Sequence, residues 1–261
     1  MAPEGGVRLA AERLEHIREM VRERRAVRCE EIAAELRVSA ITVRRDLALL
    51  ERQGSLRRVH GGAVSVQAVW EEPQFDDKID RALGAKRRIA EAALQLIGSG
   101  ETIYLDGGST VLELARLLKE RADLTIVTNS LRAAMELSGQ GPRLILTGGE
   151  LRRRSQTLVG PLSRHLLEHL HVDKAFMGTI GLTALDGLTT TEPAEAYTKE
   201  RVMRSAREVI VLADRAKFGV RSFVGAGSLD DVKWIITSRM DAALRTALKK
   251  RGIHILETGG D

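Results

Sequence analysis

The chain has 261 residues, 43% apolar, 3% aromatic and 30% charged, with a formal net charge of +5. That apolar content can fill one large core or two unequal ones, and so few aromatics speak against single-strand readers that stack bases on aromatic rings. A single cysteine, Cys29, excludes an internal disulfide and suits a reducing compartment; with no apolar run of roughly 18 residues and no signal-like start, the expectation is a soluble cytoplasmic protein with no membrane partner.

Residues 1–60 carry 13 arginines, no lysine and ten acidic residues, a net of +3, so the positive excess lies at the front. Such a balance is compatible with nucleic acid. From Leu9 to Glu23, Leu14, Ile17 and Val21 keep helical spacing. After a short break, ERRAVR, the stretch CEEIAAEL predicts a second helix with Ile32, Ala33 and Leu36 inward. Ser39 is a suitable N-cap for a third helix that runs to about Gln53 and stops at Gly54. SLRRVHGGAVSV reads as two short strands around a His-Gly-Gly turn. These elements make a first domain of residues 1–66. Residues 67–85 are acidic and weakly patterned, and read as a linker with some helix.

From Lys86 the pattern changes. Apolar stretches such as ETIYLD, LTIVTN, RLILTGG, DKAFMGTI, EVIVLAD, SFVGAG, KWIITS and HILE read as strands, and amphipathic helices separate many of them. This alternation predicts a mainly parallel α/β domain over residues 86–261.

In the third helix, Val43, Leu47 and Leu50 form the core stripe, and Ile41, Arg45, Ala48 and Arg52 lie opposite, flanked by Thr42 and Arg44. Arginine forks, a hydroxyl and small apolar groups are what reads guanine edges and thymine methyls in a major groove. A solvated basic face would carry the same arginines. The preceding helix and turn, with Arg57, Arg58 and His60 placed on a following hairpin to touch phosphates, favour a winged helix-turn-helix on double-stranded DNA.

LDGGSTVLEL is strand, glycine-rich turn, helix. Asp106 ends the strand, Gly107 and Gly108 allow close backbone approach, and Ser109 and Thr110 sit at a helix N-terminus that favours an anion. It is neither a Walker A loop nor G-x-G-x-x-G. Thr128, Asn129 and Ser130 end the next strand, and Gly148 and Gly149 another. Three such ends in a row predict a ligand pocket beyond the carboxyl ends of the strands. Lys199 and Lys217 suit a phosphate, and each reads equally well as half of a surface ion pair. Arg152 to Arg154 read as a solvated loop rather than a phosphate clamp. His165 and His169 have i, i+4 spacing, but with no H-E-x-x-H and no cysteine nearby no metal is expected. No cofactor is expected.

TVRRDLALLERQGSLRRVHGGA resembles the winged helix-turn-helix signature of DeoR-family bacterial transcription regulators. The likeness continues through the D-G-G-S-T, T-N-S and T-G-G motifs into VDKAFMGTIGL, TTEPAEAYTK and LADRAKFG. One departure is Arg28, where the family tends to carry a capping Ser or Asp. The resemblance implies a C-terminal domain similar to the sugar-phosphate isomerase fold. It also implies a repressor of sugar or carbohydrate metabolism genes, released from its operator by a phosphorylated sugar and acting as a homo-oligomer, dimer or tetramer. It implies no catalytic residue. The rival is a sugar-phosphate isomerase-like enzyme fused to a DNA-binding domain, with Asp106, Glu192, Glu195, Lys199 and Lys217 as its candidate acids and bases. A third reading, a pocket that has lost its ligand, sits poorly with the intact Gly-Gly-Ser-Thr turn.

Overall fold

The computed structural model describes residues 10–24, 26–59, 61–65 and 72–260. The chain divides into two compact units, Met1–Glu71 and Glu72–Asp261.

The first unit runs α1 (Ala10–Arg24), β1 (Ala26–Arg28), α2 (Cys29–Leu36), α3 (Ala40–Arg52), β2 (Leu56–Val59) and β3 (Gly62–Ser65). Its core is the one the helical spacing predicts: Ile17, Val21, Ile32, Val43, Leu47 and Leu50 are buried together with Val27 and Leu56. Burying each such side chain is worth about 1.5–3 kcal/mol. Ser39 caps α3 by accepting from the Thr42 N–H at 3.2 Å, and Gly54, at φ +70°, ends it.

The segment ERRAVR is not a simple break, because Ala26–Arg28 pairs with β3 to give an antiparallel sheet of order β1-β3-β2. A three-residue strand has no periodicity of its own; its partner, distant in sequence, makes it a strand. Gly62 permits the approach, since a Cβ there would lie 2.2 Å from the Val27 carbonyl oxygen. The Gly61 carbonyl accepts from the Cys29 N–H at 2.7 Å. Arg28 offers α2 no side-chain cap, but its own N–H donates to Glu31 Oε2 at 3.1 Å. Glu31 and the Gly-Gly turn therefore support the helix start where Arg28 does not.

The second unit begins with α4 (Phe75–Ile79), α5 (Leu83–Leu94), β4 (Thr102–Leu105), α6 (Ser109–Leu117), β5 (Thr125–Thr128), α7 (Leu131–Leu137) and β6 (Arg143–Leu146). A hairpin, β7 (Glu150–Arg152) and β8 (Thr157–Val159), leads to α8 (Arg164–His169), β9 (Val172–Met177), β10 (Gly181–Thr183) and β11 (Gly187–Thr190). The chain closes with α9 (Pro193–Ser205), β12 (Ala206–Leu212), β13 (Val224–Gly227), β14 (Trp234–Thr237), α10 (Ala242–Lys250) and β15 (His254–Glu257).

Seven strands form one sheet of order β15-β14-β12-β9-β4-β5-β6, with every pairing parallel. Successive side chains of a strand point to opposite faces, and both faces are covered: Tyr104 and Val211 join one apolar cluster, Ile103 and Ile210 the other. The chain winds from β4 out to β5 and β6, then returns to β9 on the other side of β4. The winding thus reverses between β4 and β9, the place where open parallel sheets hold ligands outside their strand ends.

Three features depart from the sequence reading. LTGGE does not stop at a strand end: Gly148 and Gly149, at φ +71° and +120°, turn the chain into the β7–β8 hairpin. SFVGAG joins a separate antiparallel sheet, β10-β11-β13, because its partners are the short strands around Gly181 and Gly187. Residues 72–85 belong to the second unit rather than to a linker, with Glu72 and Phe75 buried. Two apolar residues, Phe75 and Ile79, on a five-residue helix make too short a stripe for a periodicity argument to find. No helix among the described residues is long and apolar enough to cross a membrane.

Candidate functional site

In the first unit, α3 presents Ile41, 76% exposed, beside exposed Arg44, Arg45 and Arg52 and half-buried Thr42. Among the described residues no carboxylate pairs with these three arginines. Asp46 on the same helix is taken by Arg13 of α1, whose Nε lies 2.6 Å from Oδ2 and whose second nitrogen lies 3.1 Å from Oδ1. A bidentate, largely buried fork of this kind fixes orientation as well as adding energy, so it sets the roll of α3 and the aim of its outward row. Sequence spacing alone does not reveal this pair, because its members sit on different helices. In β2, exposed Arg58 is tied to α3 through its backbone N–H, which donates to Glu51 Oε1 at 2.8 Å. His60 and the side chain of Arg57 lie outside the described residues.

In the second unit, Asp106 follows β4 and its Oδ2 accepts from the Gly178 N–H, just past β9, at 3.0 Å. The two strand ends at the winding reversal are therefore bridged by one carboxylate. Lys199 of α9 donates to the same Oδ2 and, at 3.0 Å, to the Gly178 carbonyl. Burial opposes the Lys199 charge, but the Asp106 and Glu195 carboxylates outweigh it and hold the ammonium above its usual range.

The strand ends meet so closely that side chains are excluded. A Cβ on Gly107 would lie 2.1 Å from Thr157 Cγ2, and one on Gly178 would lie 2.8 Å from the Gly107 carbonyl oxygen. Gly108, at φ +151°, is the N-cap of α6 and provides no capping side chain. The first amides of α6 are left to water or to an anion.

These elements surround a small pocket with a cavity volume of about 40 Å³. Its walls are the Gly107–Val111 turn, Gly178 to Ile180, Ser155, Glu195, Lys199, Leu212 and Lys217, together with Glu72, Phe75 and Lys78. Glu195 accepts from Thr190 Oγ1 at 2.7 Å and from Thr157 Oγ1 at 3.2 Å. Burial lowers the Lys217 ammonium and nearby Lys78 lowers it further, against the pull of Asp214. Positive groups, helix amides and hydroxyls thus face one cavity, an arrangement suited to a small polyhydroxylated anion.

The structure brings the Gly107–Thr110 turn together with Lys199 and Lys217 at this pocket, while Asp106 does not line it and reaches it only through its bond to Lys199. It does not bring Thr128, Asn129 and Ser130 to the lining. Thr128 Oγ1 donates to the Leu105 carbonyl at 2.6 Å, and Ser130 caps α7 by accepting from the Ala133 N–H at 3.2 Å. Gly148 and Gly149 shape the hairpin instead. The reason is topological: the reversal point lies between β4 and β9, so the ends of β5 and β6 fall to one side of it. Arg152 is not part of a solvated loop either, since its side chain sits among Glu72, Glu192 and Glu195, while Arg153 and Arg154 are exposed. Glu72, Phe75, Lys78 and Ser155 line the pocket and carry no spacing signal in the sequence. The rings of His165 and His169 lie with centroids 4.7 Å apart and tilted by 44°, and among the described residues no three metal-ligating side chains gather.

A model of the DeoR C-terminal sensor domain matches residues 81–239, and one of the DeoR-like helix-turn-helix domain matches residues 13–69. The chain belongs to the DeoR family of transcriptional regulators. Among its DeoR relatives, the HTH-type transcriptional regulator GlpR of Haloferax volcanii is 37% identical, over 95% of this chain and 98% of its own. The HTH-type transcriptional repressor GlcR of Bacillus subtilis is 31% identical over 96% and 97%. The lactose phosphotransferase system repressor of Staphylococcus epidermidis is 37% identical over 88% and 92%. Ribose 5-phosphate isomerase A from Methanocaldococcus jannaschii overlaps 51% of this chain and 53% of its own at 22% identity, with a TM-score of 0.37, too slight a likeness to bear on chemistry. Residues 70–80 fall between the two matched DeoR domains, yet Glu72, Phe75 and Lys78 line the pocket of the second.

Proposed function

We propose that this DeoR-family chain represses genes of sugar metabolism and leaves its operator when a phosphorylated sugar fills the pocket of the second unit. The observation that carries the reading is the pocket itself. It sits at the winding reversal, with the uncapped start of α6 and three lysines facing the buried Glu195 carboxylate and the Ser155 hydroxyl. The helix start and lysines suit the phosphate; the carboxylate and hydroxyl suit sugar hydroxyls. One relative is a repressor of a lactose phosphotransferase system, which fits a sugar-derived signal.

In this reading residues 1–66 hold double-stranded DNA. Ile41, Thr42, Arg44, Arg45 and Arg52 face the major groove, and Ser39, Arg57, Arg58 and His60 face the backbone. Residues 72–261 sense the effector and pair the chain with further copies, so that two winged domains meet two half-sites. A sensor is favoured over an isomerase because relatives aligned over nearly their whole length are regulators and repressors, and because two of the five candidate acids and bases, Asp106 and Lys199, are bound to each other.

The test is to incubate the full chain with glycerol 3-phosphate, ribose 5-phosphate, glucose 6-phosphate and fructose 1-phosphate, with and without operator duplex. Saturable binding of one compound, without turnover and with loss of operator, is expected. Turnover of any of them would replace the sensor by an enzyme.

A further inference from the structure

The polar contacts around residues 72–79 are unusually concentrated for so short a segment. The Lys78 ammonium donates to Glu72 Oε1 at 2.6 Å, and both side chains line the pocket. The other oxygen of Glu72 meets Arg152 and accepts from Thr191 Oγ1 at 3.1 Å. Arg154 donates to the Glu72 carbonyl, and its own carbonyl accepts from the Phe75 N–H at 2.9 Å. Lys86 donates to the carbonyls of Lys78 and Ile79 at the far end of the short helix. Phe75 is the one large apolar anchor, and it too faces the pocket.

Glu72 is thus a carboxylate occupying one of the pocket's cations. Burial works against its charge, but Lys78 and Arg152 more than compensate and hold it below the usual carboxylate range. An incoming phosphate seeks the Lys78 ammonium and is repelled by the carboxylate already there. Glu72 has a second cation, Arg152, to fall back on; among the described residues Lys78 contacts no second carboxylate. The asymmetry decides which group yields. Glu72 is also the first residue of the second unit, bonded through its own backbone nitrogen to the last residue of the first.

We infer that residues 72–79 form an effector-operated latch, in which Lys78 binds the phosphate of the effector and the phosphate displaces the Glu72 carboxylate from Lys78. The displacement loosens the segment at the residue through which the chain enters the DNA-binding unit, so occupancy of the pocket is passed on along the backbone. Lys78 is then an effector ligand and Glu72 the group that couples binding to release. This inference rests on the proposed function, since it specifies how that pocket is read.

The experiment uses the full chain, an operator duplex and the four phosphates named above, with Glu72→Gln and Lys78→Gln as variants. Affinity for the phosphate that binds wild type is measured with and without operator, and the ratio is the coupling factor, which must be the same read from either ligand. Families of this kind of coupling run from about 5-fold to about 150-fold. Glu72→Gln should bind the phosphate at least as tightly as wild type, with the coupling factor reduced to about 2-fold or less. Lys78→Gln should bind the phosphate about 10-fold or more weakly and, because it too breaks the pair with Glu72, should hold operator more weakly than wild type even without phosphate. A wild-type coupling factor in Glu72→Gln overturns the latch, and so does wild-type phosphate affinity in Lys78→Gln. Thermal unfolding confirms that each variant is folded, and Lys78→Gln is read independently of Glu72→Gln. If wild type binds none of the four phosphates, the proposed function falls and the latch with it; if wild type binds and releases but the variants match it, the latch alone falls.

Discussion

Lys199, which lines the pocket, forms an ion pair with Asp106 behind it, with exposures of only 4% and 2%. The pair joins α9 to the end of β4, and the Gly178 N–H and carbonyl complete its hydrogen bonds from β9. Removing one member of such a pair leaves a buried charge without its partner, which destabilises by about 3–5 kcal/mol. Lys199→Met should lower the stability of the second unit by that amount in urea unfolding. Adding Asp106→Asn to Lys199→Met should recover part of the loss. A double variant as unstable as the sum of the singles would mean that the pair is not the unit of stabilisation.

The exposed row on α3 predicts separable effects on DNA. Arg45→Ala should weaken operator binding by about 1–3 kcal/mol and random duplex much less, because a base-reading fork is lost. Arg58→Ala in β2 should weaken both duplexes alike and reduce the salt slope by about one ion. Titrations against both duplexes at several salt concentrations decide the matter, and intact operator affinity in Arg45→Ala would place the reading face elsewhere.

Gly108 sits at the mouth of α6 with φ +151°, a conformation side chains rarely adopt. Gly108→Leu should strain the turn by about 1–3 kcal/mol and fill the space before the α6 amides. The expected protein binds operator normally and no longer releases it when a responsive sugar phosphate is added. Release at the wild-type effector concentration would remove the Gly-Gly-Ser-Thr turn from the effector site.

Lys86 supplies a pH dependence. Burial lowers its ammonium to about 8, whereas an unfolded lysine titrates near about 10.4. Between those values the unfolded chain holds a proton that the folded chain has lost, so stability rises with pH. Below about pH 8 both states are protonated and the cost of the buried charge is present in full. Measured against Lys86→Met, wild type should therefore gain stability between about pH 7.5 and about pH 10, by up to about 3 kcal/mol. A difference that stays flat over that range would show that the Lys86 charge is not penalised in the fold.

Much of this was legible in the residues themselves. The spacing of Ile17, Val21, Ile32, Val43, Leu47 and Leu50 determined the first core, since a 3.6-residue period sorts a helix into inner and outer faces without help from the rest of the chain. The same geometry put Ile41, Arg45 and Arg52 outward. Alternating strands and helices after Lys86 determined a parallel α/β unit, and the Gly107–Thr110 turn marked one edge of its pocket. Tertiary structure decided what depends on strand order. Three polar strand ends looked alike in sequence, but only the end of β4 lies at the winding reversal, so Gly178 and Lys199 complete the pocket while Asn129 and Gly149 do not line it. Tertiary structure also decided the place of Glu72, Phe75 and Lys78, whose short segment has no period of its own. It is held by partners far along the chain, such as Arg152 and Thr191, and contacts of that range leave no local pattern to read.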